Sequence, residues 1–146
     1  MRNLLVLLFI PLLGFTQAAQ AQNDHIAIFK NVSGDIRIIR DDKEIVPVAG
    51  TQLMRSDKIR SGADSTAGIV FRDGTHLTLG SSSEIKVNQY IFQPEDGKYA
   101  FSVYLDKGSA IYSSGKIGKI SPQSVSINTP RATVGVRGTR FIVKVE

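Results

Sequence analysis

The chain contains no cysteine and no tryptophan, and only two histidines and two methionines among its 146 residues. Each absence excludes something. Without cysteine there is no disulfide, no thiolate ligand for zinc and no cysteine nucleophile. His25 and His76 stand alone, so they form no metal pattern, and both read as surface residues rather than catalytic bases. Long hydrophobic runs are also lacking, with one exception at the start. Leu4 to Phe15 is apolar, but it is interrupted by Pro11 and is shorter than the roughly 20 residues a bilayer span needs.

That single run has the anatomy of a secretory signal peptide. Arg2 supplies the positive start, and Ala19-Gln20-Ala21 places small residues where a signal peptidase reads. Cleavage is expected after Ala21, giving a signal peptide over 1–21 and one domain over 22–146, periplasmic or secreted and without a membrane span. In an oxidising compartment without cysteine, packing and hydrogen bonds alone must hold that domain. The net charge of +5 falls by one when Arg2 leaves. A mildly basic exported domain favours acidic protein faces and anionic envelope polymers, and nucleic acid is not an expected partner.

The rest of the chain alternates at period two and shows no long helical stripe, so the expected fold is all-β, a single small domain of short strands. Ile36 and Ile38 share a face, Asp41-Asp42 turns the chain, and pairing Arg40 with Lys43 sets Ile38 opposite Ile45. Pro47 ends or edges the returning strand. In "AGIVFRDGTHLTL" a two-residue turn would put Phe71 and Leu77 on opposite faces. A three-residue Arg72-Asp73-Gly74 turn, with Gly74 left-handed, aligns Ile69 with Leu77 and Ala67 with Leu79, and is preferred. The same device is expected at Asp106-Lys107-Gly108, turning Val103 to face Ile111.

Near the end the apolar phase changes twice. Val125 and Ile127 are odd; Ala132, Val134 and Val136 are even; Phe141, Val143 and Val145 are odd again. A strand cannot change face without an inserted residue or a corner, so Pro130 and Gly138 mark corners between three strands. Arg131 and Arg140 fall out of phase with their apolar neighbours and are expected to be exposed, with Ala132, Val134 and Phe141 inward. Arg137 either folds back onto carbonyls freed by the bend or joins Arg131 and Arg140 in an anion-binding patch; the structural role is preferred.

Catalytic and cofactor motifs find no support. "GSSSE" at Gly80–Glu84 is not a nucleophile elbow. The acids Asp35, Asp57, Asp64, Asp73 and Asp106 read as turn caps rather than calcium ligands. "SSGKIGKIS" lacks the spacing of a phosphate-binding loop and reads as a flexible basic loop carrying Lys116 and Lys119. A carboxylate pair involving Glu84 and Glu95 would have to be assembled in space. No enzymatic activity and no cofactor are expected.

Two segments together resemble the FecR domain, the extracytoplasmic module of ferric-citrate signalling regulators. One is "SDKIRSGADSTAGIVFRDGTHLTLGSSSEIKV" at Ser56–Val87, with Asp73 and Gly74 in its D-G-S/T element. The other is "INTPRATVGVRGTRFIV" at Ile127–Val143, closing on Arg137, Gly138, Thr139 and Phe141. Ser56 stands where the family often has glycine, and Ser61 where it often has threonine. The resemblance, over about Ile36 to Val145, implies a solenoid-like or rolled β arrangement and a non-enzymatic module. This chain shows no cytoplasmic anti-sigma segment, no transmembrane helix and no further domain, so the transmembrane relay is not expected to carry over. An envelope protein remains the expected partner, with Arg131, Arg140, Lys116 and Lys119 as candidate partner-facing residues. The alternative is a cell-wall or surface glycan, for which Tyr90, Phe92, Tyr99 and Tyr104 are the candidate aromatics.

Overall fold

The structure, a computed structural model, describes residues 24–136 and 138–146. The signal-peptide reading and the Arg137 reading lie outside the described residues. Twelve strands follow in order: β1 (His25–Ser33), β2 (Ile36–Arg40), β3 (Lys43–Ile45), β4 (Gln52–Met54), β5 (Lys58–Ser61), β6 (Thr66–Phe71), β7 (His76–Leu79), β8 (Glu84–Gln93), β9 (Lys98–Ser113), β10 (Val125–Asn128), β11 (Thr133–Gly135) and β12 (Arg140–Val145), with one short helix, α1 (Lys116–Ile120), after β9. They form one curled sheet in the order β3-β2-β5-β8-β9-β7-β6-β1-β4, so the rolled alternative describes the fold. On the other side of β9, β10 pairs in parallel with its first half and β12 antiparallel with its second.

Turn chemistry sets the local registers. Asp41 and Asp42 take positive φ of 49° and 62°, and the hairpin pairs Arg40 with Lys43 and Ile38 with Ile45. Pro47 follows β3, which is an edge strand. At the second hairpin Gly74 has φ +86°, the Phe71 amide donates to Thr75 O, and Ile69 pairs with Leu77. The bulged turn therefore wins, because it alone buries Ala67, Ile69, Phe71, Leu77 and Leu79 on one face. Ser56, in the position where glycine is frequent, also has positive φ, 68°.

The third expected turn is not a turn. β9 runs unbroken through Asp106-Lys107-Gly108, and Val103 does not face Ile111; they lie on one strand. The pairs Glu84–Lys107 and Ile85–Leu105 leave Asp106 as an extra residue. This bulge switches the inward positions from Phe101, Val103 and Leu105 to Ala110 and Tyr112. Gly108 has φ +86° because Ser83 is pressed against it: a Cβ there would meet Ser83 Cα at 2.5 Å. Ser83 Oγ accepts the Ser109 amide at 2.9 Å, so the left-handed glycine bends the strand instead of reversing it. Bent in this way, β9 brings Phe101 to 5.6 Å from Tyr112 across the core.

A buried ion pair ties the edge of the roll to its frame. Asp57 is 1% exposed, and its carboxylate accepts from Arg40 Nε at 2.9 Å, Arg40 Nη2 at 2.6 Å and the Met54 amide at 2.8 Å. In the closing segment the chain does corner after β10 and at Gly138, which has φ +128°. Val134 and Phe141 pack against the core, but Ala132 is exposed. It belongs to a tight turn in which Thr129 N donates to Ala132 O, so strand parity starts only at Thr133.

Candidate functional site

Asp73 is heavily engaged in hydrogen bonds and is only 2% exposed. Its Oδ1 accepts from the Tyr90 hydroxyl at 3.0 Å and the Thr75 amide at 3.3 Å. Its Oδ2 accepts from Thr75 Oγ1 at 2.7 Å and the Ile117 amide at 3.0 Å. Its own amide donates to Tyr90 Oη, and its carbonyl accepts the Lys116 amide. Asp73 therefore does more than cap its own turn, because it also fastens α1 and β8 to the β6–β7 hairpin. Gly115 closes the same joint, since a Cβ there would lie 2.2 Å from the Thr75 nitrogen. Burial pushes the Tyr90 phenol well above its ordinary pKa, and the neighbouring Asp73 carboxylate adds to the rise.

The segment from Ser113 to Ser121 is thus not a flexible basic loop. Lys116–Ile120 is a helical turn held by buried Ile117 and by Asp73, while Lys116 and Lys119 are exposed. Too few residues are present for intrinsic helicity to matter, so tertiary contacts decide the conformation.

The remaining basic candidates flank β12. Arg140 pairs with Ser113, three residues before Lys116, and the Ser114 hydroxyl donates to Gly138 O at 3.1 Å. Arg131 lies at the other end, in a cleft shared with Lys144, Asp106 and Glu146. Arg131 and Arg140 are both exposed and are not gathered into one patch. What links them is a strand edge. Ser114 N donates to Thr139 O, so 139 and 114 are a hydrogen-bonded pair, and the alternation carries this to 141, 143 and 145. The backbone N–H and C=O groups of Arg140, Ile142 and Lys144 therefore point away from β9. Among the described residues β12 pairs with β9 alone, and Ile142 is 68% exposed.

The aromatic candidates do not share a face. Tyr90 is 3% exposed and belongs to the core. A register shift between Val87 and Gln89 reverses the parity of β8 and turns Tyr90 inward. Phe92 and Tyr99 form a cross-strand pair, ring centres 6.3 Å apart, packed at the inner edge of the core, whereas Tyr104 lies in a separate shallow pocket with Lys86. Of the two glutamates considered, Glu84 is committed to Lys58 and Arg60. Burial would raise its carboxyl, but these two hydrogen-bond partners hold it below the ordinary value. Among the described residues no cluster of three or more metal-ligating side chains occurs. No helix among them is long and apolar enough to cross a membrane.

No curated protein and no solved structure matches the chain. The family model described as FecR protein matches residues 57–146, which covers β5 to β12. Strands β1 to β4 precede the match, yet β1 pairs with β6 and β2 with β5, so they complete the same sheet. With the D-G-T hairpin and the closing β12 in place within that span, the chain belongs to the FecR family, an envelope-associated group whose domains mediate protein interactions in signalling.

Proposed function

We propose that this domain is a non-enzymatic, extracytoplasmic interaction module that recognises an envelope protein by adding an extended segment of that partner to the open edge of β12. The observation that carries this reading is the edge itself. Three successive outward-facing backbone positions, Arg140, Ile142 and Lys144, pair with no strand among the described residues. An extended peptide gains main-chain hydrogen bonds from such an edge and specificity from alternate side chains. Here two cations bracket an isoleucine, so the complementary strand carries acidic residues on either side of an apolar one. The same lysine and arginine keep the edge from pairing with further copies of this equally basic strand. The glycan alternative gains nothing from the separated aromatics.

Ile142→Pro tests the proposal. The Ile142 N–H points away from β9, so proline there removes an outward donor while leaving the β9–β12 ladder intact. Tagged chain is incubated with envelope extract and, in parallel, with purified peptidoglycan. The expected result is capture of one defined protein by the parent and by Ile142→Ser, lost in Ile142→Pro, with all three melting alike. Equal capture by Ile142→Pro, or sedimentation with peptidoglycan alone, refutes edge pairing.

A further inference from the structure

One end of the rolled sheet opens into a cavity of about 430 Å³. The β4–β5 turn contributes Arg55, the β6–β7 turn Arg72, and the start of β9 Lys98; Tyr90, Phe92 and Asp24 also line it. Arg37, Arg40, Lys58 and Arg60 are all matched to carboxylates elsewhere. Arg55, Arg72 and Lys98 are in no ion pair among the described residues, so three cations share the cavity with one acid. Arg72 lines this space. It lies near enough to the Tyr90 phenol to oppose the rise that burial imposes there.

The wall behind the cations is fixed. Tyr90 is held by Asp73 and packs 5.3 Å from Phe71, and the Arg72 amide donates to Ile26 O at 3.1 Å. A prearranged wall spares a ligand part of the ordering cost of binding. Mouths of rolled sheets are frequent ligand sites, and a cavity of a few hundred Å³ is of ligand size.

From this geometry we infer that the mouth of the roll binds the acidic end of a peptide, with a carboxylate between Arg55, Arg72 and Lys98 and an adjacent apolar side chain against Phe92. Arginine forks match carboxylates in a bidentate way, and the aromatic wall accepts the apolar neighbour. A sugar fits less well, because its hydroxyls need several polar partners and, among the described residues, Gln93 is the only amide side chain lining the cavity. This site is separate from the β12 edge, so either can fail without the other.

The test is an amide chemical-shift titration of the folded chain with N-acetyl-leucyl-glutamate, N-acetyl-leucyl-glutamine amide and inorganic phosphate. The acidic dipeptide should saturate, moving the amides of Arg72, Phe92 and Lys98. The uncharged peptide should bind at least tenfold more weakly, and phosphate should bind more weakly than the dipeptide. Arg55→Gln with Arg72→Gln should weaken the dipeptide at least tenfold while leaving the melting temperature unchanged, because neither side chain holds a hydrogen-bond or ion-pair partner among the described residues. Ile142→Pro should bind the dipeptide as the parent does. The assignment is overturned if the dipeptide does not saturate, if phosphate binds as tightly as the dipeptide, or if the double variant binds like the parent.

Discussion

Replacing Asp73 by asparagine is nearly isosteric, yet the geometry requires it to fail. Both carboxylate oxygens accept hydrogen bonds, and each receives one from a backbone amide: Thr75 N on Oδ1 and Ile117 N on Oδ2. The hydroxyls of Tyr90 and Thr75 can rotate to donate elsewhere or to accept, but an amide cannot. Whichever way the asparagine is placed, its NH₂ group faces one backbone N–H. The better choice puts NH₂ at the Oδ1 position and sacrifices the longer bond to Thr75 N, 3.3 Å. An unsatisfied buried donor costs about 1–3 kcal/mol, and bonds to a charged acceptor are the stronger kind.

Asp73→Asn should therefore lose about 2 kcal/mol. Asp73→Ala removes the acceptor for all four donors and leaves a void, and should lose about 4 kcal/mol. At roughly 4 °C per kcal/mol for a domain of this size, the melting temperature should drop by about 8 °C and 16 °C. Circular dichroism melts and urea titrations measure both. Hydrogen exchange adds a local signature in Asp73→Ala: the amides of Lys116 and Ile117 should lose protection first, since α1 is fastened by the lost carboxylate, while β2 and β5 keep theirs. A melting temperature for Asp73→Asn within about 2 °C of the parent would refute the reasoning, because it would mean that turning the Oδ1 acceptor into a donor leaves the Thr75 amide at no cost.

Two glycine substitutions separate sterics from backbone strain. Nothing lies within 4 Å of a Cβ on Gly74, so Gly74→Val meets only its positive φ, about 1–3 kcal/mol; at Gly115 the obstacle is backbone 2.2 Å away, and Gly115→Ala should destabilise more in the same urea titration. Arg40→Ala strands the Asp57 carboxylate, which is 1% exposed, and should lose about 2–3 kcal/mol, toward the low side for a buried pair because 29% of the arginine side chain remains exposed. Alkaline melts report Tyr90: the unfolded phenol ionises near 10.0 and the folded one only at higher pH, so stability is full below 10 and falls above it, and Tyr90→Phe should flatten that fall. Acid melts report Glu84 with the opposite sign: its lowered pKa stabilises the fold above about 4.5 and the gain is lost as pH drops below, so Glu84→Gln should be less acid-sensitive between pH 5 and pH 3.

The sequence made legible what depends on near neighbours. The β2–β3 and β6–β7 registers follow from parity and turn residues within a few positions, and the corners of the closing segment follow from its phase changes. What it concealed depends on distant partners. Asp-Lys-Gly reads as a turn at 106–108 just as Arg-Asp-Gly does at 72–74. Only Ser83, 26 residues before Ser109, distinguishes a bend from a reversal. Tyr90 reads as a candidate surface aromatic because the bulge that inverts β8 leaves no mark on alternation. Asp73 was legible as a turn residue but not as an anchor, since Tyr90 lies 17 positions away and Ile117 lies 44.

The segments that carry the family resemblance build the frame between the two proposed surfaces. From the mouth to β12 the core runs as a file of rings: Tyr90 to Phe71 at 5.3 Å, Phe71 to Phe101 at 4.9 Å, Phe101 to Tyr112 at 5.6 Å and Tyr112 to Phe141 at 5.1 Å. Beside it runs a polar route, from Tyr90 through Asp73 to α1, and from Ser114 to Gly138 and Thr139. Contiguity of this kind does not establish coupling, which requires two arrangements that both sites bias. It does establish a shared support. Damage to the frame, as in Asp73→Ala, should therefore impair the mouth and the edge together, whereas Arg72→Gln should affect only the mouth and Ile142→Pro only the edge.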